Sequence, residues 1–163
     1  RTLHEQGIDP LLDDRHIDPG PGEIGKFRET IARCFSAPDV AGIIDRLETE
    51  TGANSQWAKE VAAELKMRAP LSLAVTHWHI RDSASRDLRD VLQMDFRRAS
   101  RFLEDHDFYE GVRAVVIDKD NAPAWKPATL AAVTPDAIDR YFADISGPGW
   151  SLPTRAEMQA MRA

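Results

Sequence analysis

The chain holds 163 residues, 42% hydrophobic and 29% charged, and its 21 basic and 27 acidic side chains give a formal charge of −6. That length supports one ordinary domain with a core of its own, in a soluble globular composition rather than a disordered one. The acidic balance argues against nucleic-acid or anionic-membrane partners, and no apolar run approaches the roughly 20 residues of a membrane span. Cys34 is the single cysteine, so no internal disulfide can form and a reducing compartment such as the cytoplasm is expected. Arg1–Gln6 lack a signal-peptide core. The opening Arg-Thr-Leu-His, without Met, suggests that an upstream segment has been removed.

Residues 1–22 carry Pro10, Asp13, Asp14, Asp18, Pro19, Gly20 and Pro21 and are expected to form an extended lead-in; a helical domain is expected over 23–163. Ile24, Phe27, Ile31 and Phe35 recur at three- and four-residue steps, the period of one helix face. Ser36-Ala-Pro-Asp39 has the character of a helix start, followed by the stripe Val40, Ile43, Ile44 and Leu47, with Gly52 as the stop. Asn54 or Ser55 is expected to cap a third helix that turns Trp57, Val61 and Leu65 to the core. Pro70 can open a fourth, with Leu71, Val75 and Trp78 on one side. The longest helix is expected to start at Ser83 or Ser85. It carries the stripe Leu88, Val91, Leu92, Phe96, Ala99, Phe102 and Leu103, with Arg89, Asp90, Arg97, Arg98 and Arg101 on a solvated face. Asp107-Phe-Tyr-Glu110 has the pattern of a capping box, which decides for helix over strand in the Val-rich stretch to Ile117. A turn-rich loop over residues 118–127 follows. Thr134-Pro135 then opens a helix with Ile138, Tyr141, Phe142 and Ile145, Ser146-Gly-Pro-Gly149 stops it, and Thr154 to Glu157 caps a short terminal one. The fold class expected is all-α, seven or eight amphipathic helices with little or no sheet.

Local chemistry is sparse. His77 and His79 flank Trp78 and, two apart on a helix, point to different faces, so they are expected to be surface histidines rather than a metal pair. Cys34, within an apolar stripe and without a nearby base, fits the core better than catalysis. Asp95 could serve as a general base but is better explained as paired to Arg98 or Arg113, and Glu110 is accounted for as a capping partner of Asp107. Gly147-Pro-Gly149 lacks the setting of a phosphate loop. Lys66 with Arg68, and Arg97 with Arg98 and Arg101, are weak nucleic-acid signals in an acidic chain without interleaved aromatics. The strongest local feature is the loop with Lys119, Trp125 and Lys126 among prolines. Lysines beside an aromatic suit a ligand that bears phosphates and adenine, whereas the plainer reading makes Trp125 a packing anchor.

The stretch Asp107-Phe-Tyr-Glu-Gly-Val-Arg-Ala-Val-Val-Ile-Asp-Lys-Asp-Asn-Ala-Pro-Ala-Trp-Lys-Pro127 resembles the signature near the carboxy terminus of the 3-hydroxyisobutyryl-CoA hydrolases, within the crotonase (enoyl-CoA hydratase/isomerase) superfamily. Lys66 to Thr76 resembles the family's Ser-Pro-x-Ser-Leu-Lys-x-Thr helix start, with Ala69 and Ala74 as departures. Met94-Asp-Phe-Arg97 resembles its Met-Glu-Tyr-Arg, with Asp95 in place of Glu.

The resemblance implies the helical carboxy-terminal half of such an enzyme, packed over a spiral domain that supplies the oxyanion-binding amides and the acidic groups. No Gly-rich oxyanion segment or matching acidic motif occurs between Arg1 and Ala163, so no catalytic residue is carried over. Lys119, Trp125 and Lys126 are implied to lie near the CoA adenine or phosphates, with no cofactor required. The implied partners are acyl-CoA, the protein's own amino-terminal domain and further copies of the chain. The implied compartment is the cytoplasm, or the mitochondrial matrix in a eukaryote. A hydratase or isomerase of the same superfamily, and a non-enzymatic helical interaction module, are the competing expectations.

Overall fold

The computed structural model describes Ile17, Gly20 and residues 22–144 and 153–161. Among these residues all regular structure is helical, with eight α-helices and no strand, as the apolar periods predict. The expected lead-in over 1–22 falls almost wholly outside the described residues, as do Ile145 and the stop at Ser146–Gly149.

The first helix begins as a 3-10 turn, Glu23–Phe27, and continues as α1, Arg28–Cys34. Its inner side is Thr30 and Cys34, with Phe27 stacked on Trp57 at 4.4 Å; Ile24, expected in the stripe, is exposed. Helix α2, Val40–Glu48, buries Val40, Ile43, Ile44 and Leu47, the four positions of the predicted stripe. Its cap is Asp39, whose carboxylate accepts from the Gly42 amide at 2.7 Å. Ser36 instead donates to the Arg33 carbonyl and accepts from Arg46. Asp39 wins because its backbone is extended where the helix begins, the geometry an N-cap requires.

Helix α3, Ser55–Met67, packs against α2 through Ala58 and Ala62, which are fully buried and let the two backbones approach closely. Asn54 occupies its N-cap position, but the amide of that side chain reaches back to the Lys26 carbonyl and Thr30 Oγ1, tying the start of α3 to α1. Helices α1 to α3 thus enclose one core around Leu47, with Trp57, Val61, Leu65, Leu73 and Leu130 at its margin.

Helix α4, Pro70–Ser83, starts on Pro70, where the missing N–H costs nothing. Leu71 and Val75 are buried, whereas Trp78, expected beside them, is 54% exposed. Ser83 ends α4 rather than starting the next helix. Helix α5, Leu88–Glu104, is capped by Asp87, which accepts from the Asp90 amide at 2.9 Å. The predicted stripe of α5 is only partly inward. Val91, Leu92 and Phe102 are half-buried, but Leu88, Phe96 and Leu103 are exposed; Met94, outside the predicted stripe, is buried, and Arg98, assigned to the solvated face, is 7% exposed. The reason is tertiary: α7, Pro135–Phe142, lays Phe142 under the Arg98 guanidinium, Cζ lying 4.2 Å from the ring centroid.

A second core forms where Leu71 and Val75 of α4 meet Tyr141 of α7, flanked by Phe102, Val133 and Ile138. Thr134 caps α7 as expected, and Thr154 with Glu157 forms a complete capping box for α8, Arg155–Ala160.

Candidate functional site

The loop over residues 118–127 grows out of helix α6, His106–Val112, and a π-helical turn, Arg113–Ile117. The valine-rich stretch is therefore helical, as the choice over strand predicts, but wound one residue wider, with the Asp118 amide bonded to the Arg113 carbonyl at 2.8 Å. Asp107 and Glu110 do not form the expected capping box. Helix α6 starts at His106 behind Asp105, which makes no side-chain cap. Both carboxylates are drawn instead to the returning loop.

That loop is fastened at alternate amides. Asp120 accepts from the Ala122 amide at 2.9 Å, Glu110 from that of Ala124 at 2.8 Å, and Asp107 from that of Lys126 at 2.8 Å. Arg113 completes the brace. Its guanidinium grips Glu110 bidentately at 2.9 and 2.7 Å and donates to Asp118 at 2.7 Å and Asp120 at 2.6 Å. The Arg113 bonds, with the Ala124 amide, lower the Glu110 pKa to about 2, and the three carboxylates raise that of Arg113. Glu110 is thus a committed carboxylate, unsuited to proton transfer. Lys119 and Asn121 take left-handed φ values of 58° and 52°, which turn the chain back towards α6; the Lys126–Pro127 peptide is cis.

Trp125 is half-buried. Its indole N–H donates to the Met67 carbonyl at the end of α3 at 3.0 Å, and its ring covers Gly111 so closely that a Cβ there would lie 3.3 Å from Cη2. The ring therefore joins α3 to α6 and serves as a packing anchor. Lys119 and Lys126 are exposed and form no ion pair among the described residues. The arrangement presents two ammonium groups on a rigid loop; it assembles no nucleophile or acid–base pair.

The other candidates lie elsewhere. His79 of α4 pairs through Nε2 with Asp95 of α5 at 2.5 Å, and Ser83 Oγ lies 3.3 Å from its Nδ1. Asp95 is thus tied to a histidine, not to Arg98 or Arg113. His77 is half-buried rather than on the surface. Burial, then the nearby Arg81, depresses its pKa, and its Nε2 finds no partner among the described residues. Cys34 is 1% exposed, and burial raises its thiol pKa. No three His, Cys, Asp or Glu side chains converge on a metal-sized site among the described residues. Sequence reasoning missed the use of Asp107, Glu110 and Arg113 as loop fasteners; their alternation with loop amides has no signature within the helix itself. The π turn itself is apolar and bare, with Val115, Val116 and Ile117 each at least 60% exposed. No helix is long and apolar enough to cross a membrane among the described residues.

A profile of the enoyl-CoA hydratase/isomerase family matches residues 2–142. The 3-hydroxyisobutyryl-CoA hydrolase, mitochondrial, of Danio rerio is 37% identical over 141 residues, which cover 86% of this chain and 36% of that protein. The protein of the same name from Mus musculus is 40% identical over 114 residues, 70% of this chain and 29% of its own length. The chain thus spans about a third of the length of these curated relatives. Among solved structures, a carnitinyl-CoA dehydratase from Mycobacterium thermoresistibile superposes with a TM-score of 0.76 at 32% identity, over 90% of this chain and 41% of the other. An enoyl-CoA hydratase from Rhodobacter sphaeroides 2.4.1 gives a TM-score of 0.67 at 28% identity, over 83% and 42%. With a family profile spanning most of its length and relatives that share more than a third of its aligned residues, this chain belongs to the enoyl-CoA hydratase/isomerase family.

Proposed function

We propose that the chain is the helical carboxy-terminal part, over residues 23–163, of an acyl-CoA thioester hydrolase acting on 3-hydroxyisobutyryl-CoA in valine catabolism. On this reading it covers the acyl-CoA site and makes subunit contacts, while the catalytic groups lie in a preceding spiral domain. The observation that carries it is the run of hydrolase-named relatives at 37–40% identity over 70–86% of the chain. Lys119, Trp125 and Lys126 lie near the CoA adenine or phosphates, where two ammonium groups without an ion pair among the described residues, on a loop fastened by three carboxylates, supply charge. The bare apolar residues Val115 to Ile117 receive the spiral domain or a second subunit. A reducing compartment, cytoplasm or mitochondrial matrix, fits Cys34 and the names of the relatives.

The test is thiol release from 3-hydroxyisobutyryl-CoA. The isolated chain is expected to be inactive, and the chain joined to its spiral domain active. Changing Lys119 and Lys126 to Ala in the joined protein should raise KM for the thioester with little change in kcat. Turnover by the isolated chain, abolished by one of its own substitutions, would overturn this reading. A second reading, hydration or dehydration of an acyl-CoA double bond, is favoured by the names of the two solved structures. It predicts loss or gain of an enoyl-CoA chromophore without free thiol.

A further inference from the structure

Between α4, α5 and α7 lies a cavity of about 210 Å³ walled by Asp82, Arg86, Met94, Arg97, Arg98 and Phe142. Arg98 is the anomaly in it. The residue is 7% exposed, yet among the described residues its Nε has no partner and its ion pair with Asp82 spans 3.7 Å, beyond hydrogen-bonding reach. A guanidinium carries five N–H donors and stays charged even when buried. Stacking on Phe142 satisfies the face of the group but none of those donors. Leaving Nε dry and unbonded is costly, and the terminal nitrogens meet no hydrogen-bond acceptor among the described residues, so the site is incomplete as it stands.

The neighbours do not complete it. Asp82 is engaged by Arg86 at 2.8 Å, a bond that lowers its pKa, and Arg97 is tied to Asp144 at 2.9 Å. The walls therefore hold three guanidinium groups and one carboxylate, an excess of positive charge beside apolar surface from Met94 and Phe142. A planar guanidinium edge matches the two oxygens of a carboxylate in a paired, parallel arrangement. Arg86 and Arg97 are already engaged by carboxylates, and a tetrahedral phosphate on Arg98 would meet the apolar wall of Met94 and Phe142 on its other side.

From this geometry we propose that the cavity binds a short-chain monocarboxylate, its carboxylate on the guanidinium of Arg98 and its alkyl end against Met94 and Phe142. The site is built from α4, α5, the turn between them and α7, and does not depend on the hydrolase reading.

The test titrates the 163-residue chain with sodium isobutyrate, acetate, inorganic phosphate and chloride at matched ionic strength. The readouts are the Arg98 side-chain resonances and the melting temperature. Isobutyrate should bind saturably with a Kd of about a millimolar, more tightly than acetate because its branched end meets Met94 and Phe142. Arg98→Met, which fills similar volume without donors, should abolish saturation. Arg98→Lys keeps the charge but loses the fork, and should weaken binding about tenfold; it carries the test if Arg98→Met fails to fold. A response that stays linear and matches chloride overturns the proposal. So does saturation that survives Arg98→Met, or a preference for phosphate over isobutyrate.

Discussion

Replacing Trp125 with Ala should loosen the braced loop and change the sign with which a second position contributes to stability. Complete removal of a buried Trp side chain costs about 3–5 kcal/mol. Trp125 is half-buried, so its packing on α6 is worth about 2 kcal/mol, and its bond to the Met67 carbonyl adds about 1 kcal/mol. Gly111 lies directly under that ring. Gly to Ala within a helix gains about 1 kcal/mol in propensity. In the native protein, however, the new Cβ would sit 3.3 Å from Cη2 of Trp125, close enough that the ring must shift to admit it. Gly111→Ala should therefore be neutral or destabilising alone and stabilising by about 1 kcal/mol once Trp125 is Ala. The assay is a double-mutant cycle by urea unfolding, in which about 1 kcal/mol shifts the midpoint by roughly half a molar. An equal gain from Gly111→Ala in both backgrounds would show that the ring does not press on α6.

Leu47→Ala, at a position with no exposed surface, should cost about 3 kcal/mol, visible as a lowered thermal midpoint. Tyr141→Phe removes the hydroxyl that donates to Asp105 while keeping the ring packed on Phe102; a loss of about 1–2 kcal/mol in urea would register that one bond. Glu110 is held at about 2, below its unfolded value of about 4.3, so its stabilising effect is complete above the unfolded value and vanishes as pH falls through the folded one. The Trp125 indole N–H resonance should accordingly shift between about pH 4 and 2, and Glu110→Gln should flatten that dependence.

The helices were legible because local pattern determines them. Val40, Ile43, Ile44 and Leu47 all point inward as their spacing requires, and Pro70, Pro135 and Thr154 mark helix starts where expected. What could not be read is which neighbour a side chain meets. Asp107 and Glu110 have the spacing of a cap, but the amides that claim them lie 14 to 19 residues away. Arg98 belongs with its charged neighbours by sequence and is buried only because α7 crosses above it. Asp87 displaced Ser83 and Ser85 as the cap of α5 because α4 runs on to Ser83 before the chain turns. In the proposed site, residue types were visible early; that Trp125 bolts α3 to α6, and that Lys119 and Lys126 form no ion pair among the described residues, followed only from the loop's path.

Helix α4 gives Leu73 to the first core and Leu71 and Val75 to the second. A wall common to two compartments makes each conditional on the other. If α1 to α3 come apart, Leu73 loses its cover and α4 the support that keeps it straight; if α7 leaves, the opposite side of the same helix is wetted. Opening either compartment carries part of the cost of opening both, so partly unfolded forms with one core intact are penalised twice. The chain should therefore exchange its slowest amides in α2 and α4 together, as a single cooperative unit rather than as two independently melting halves.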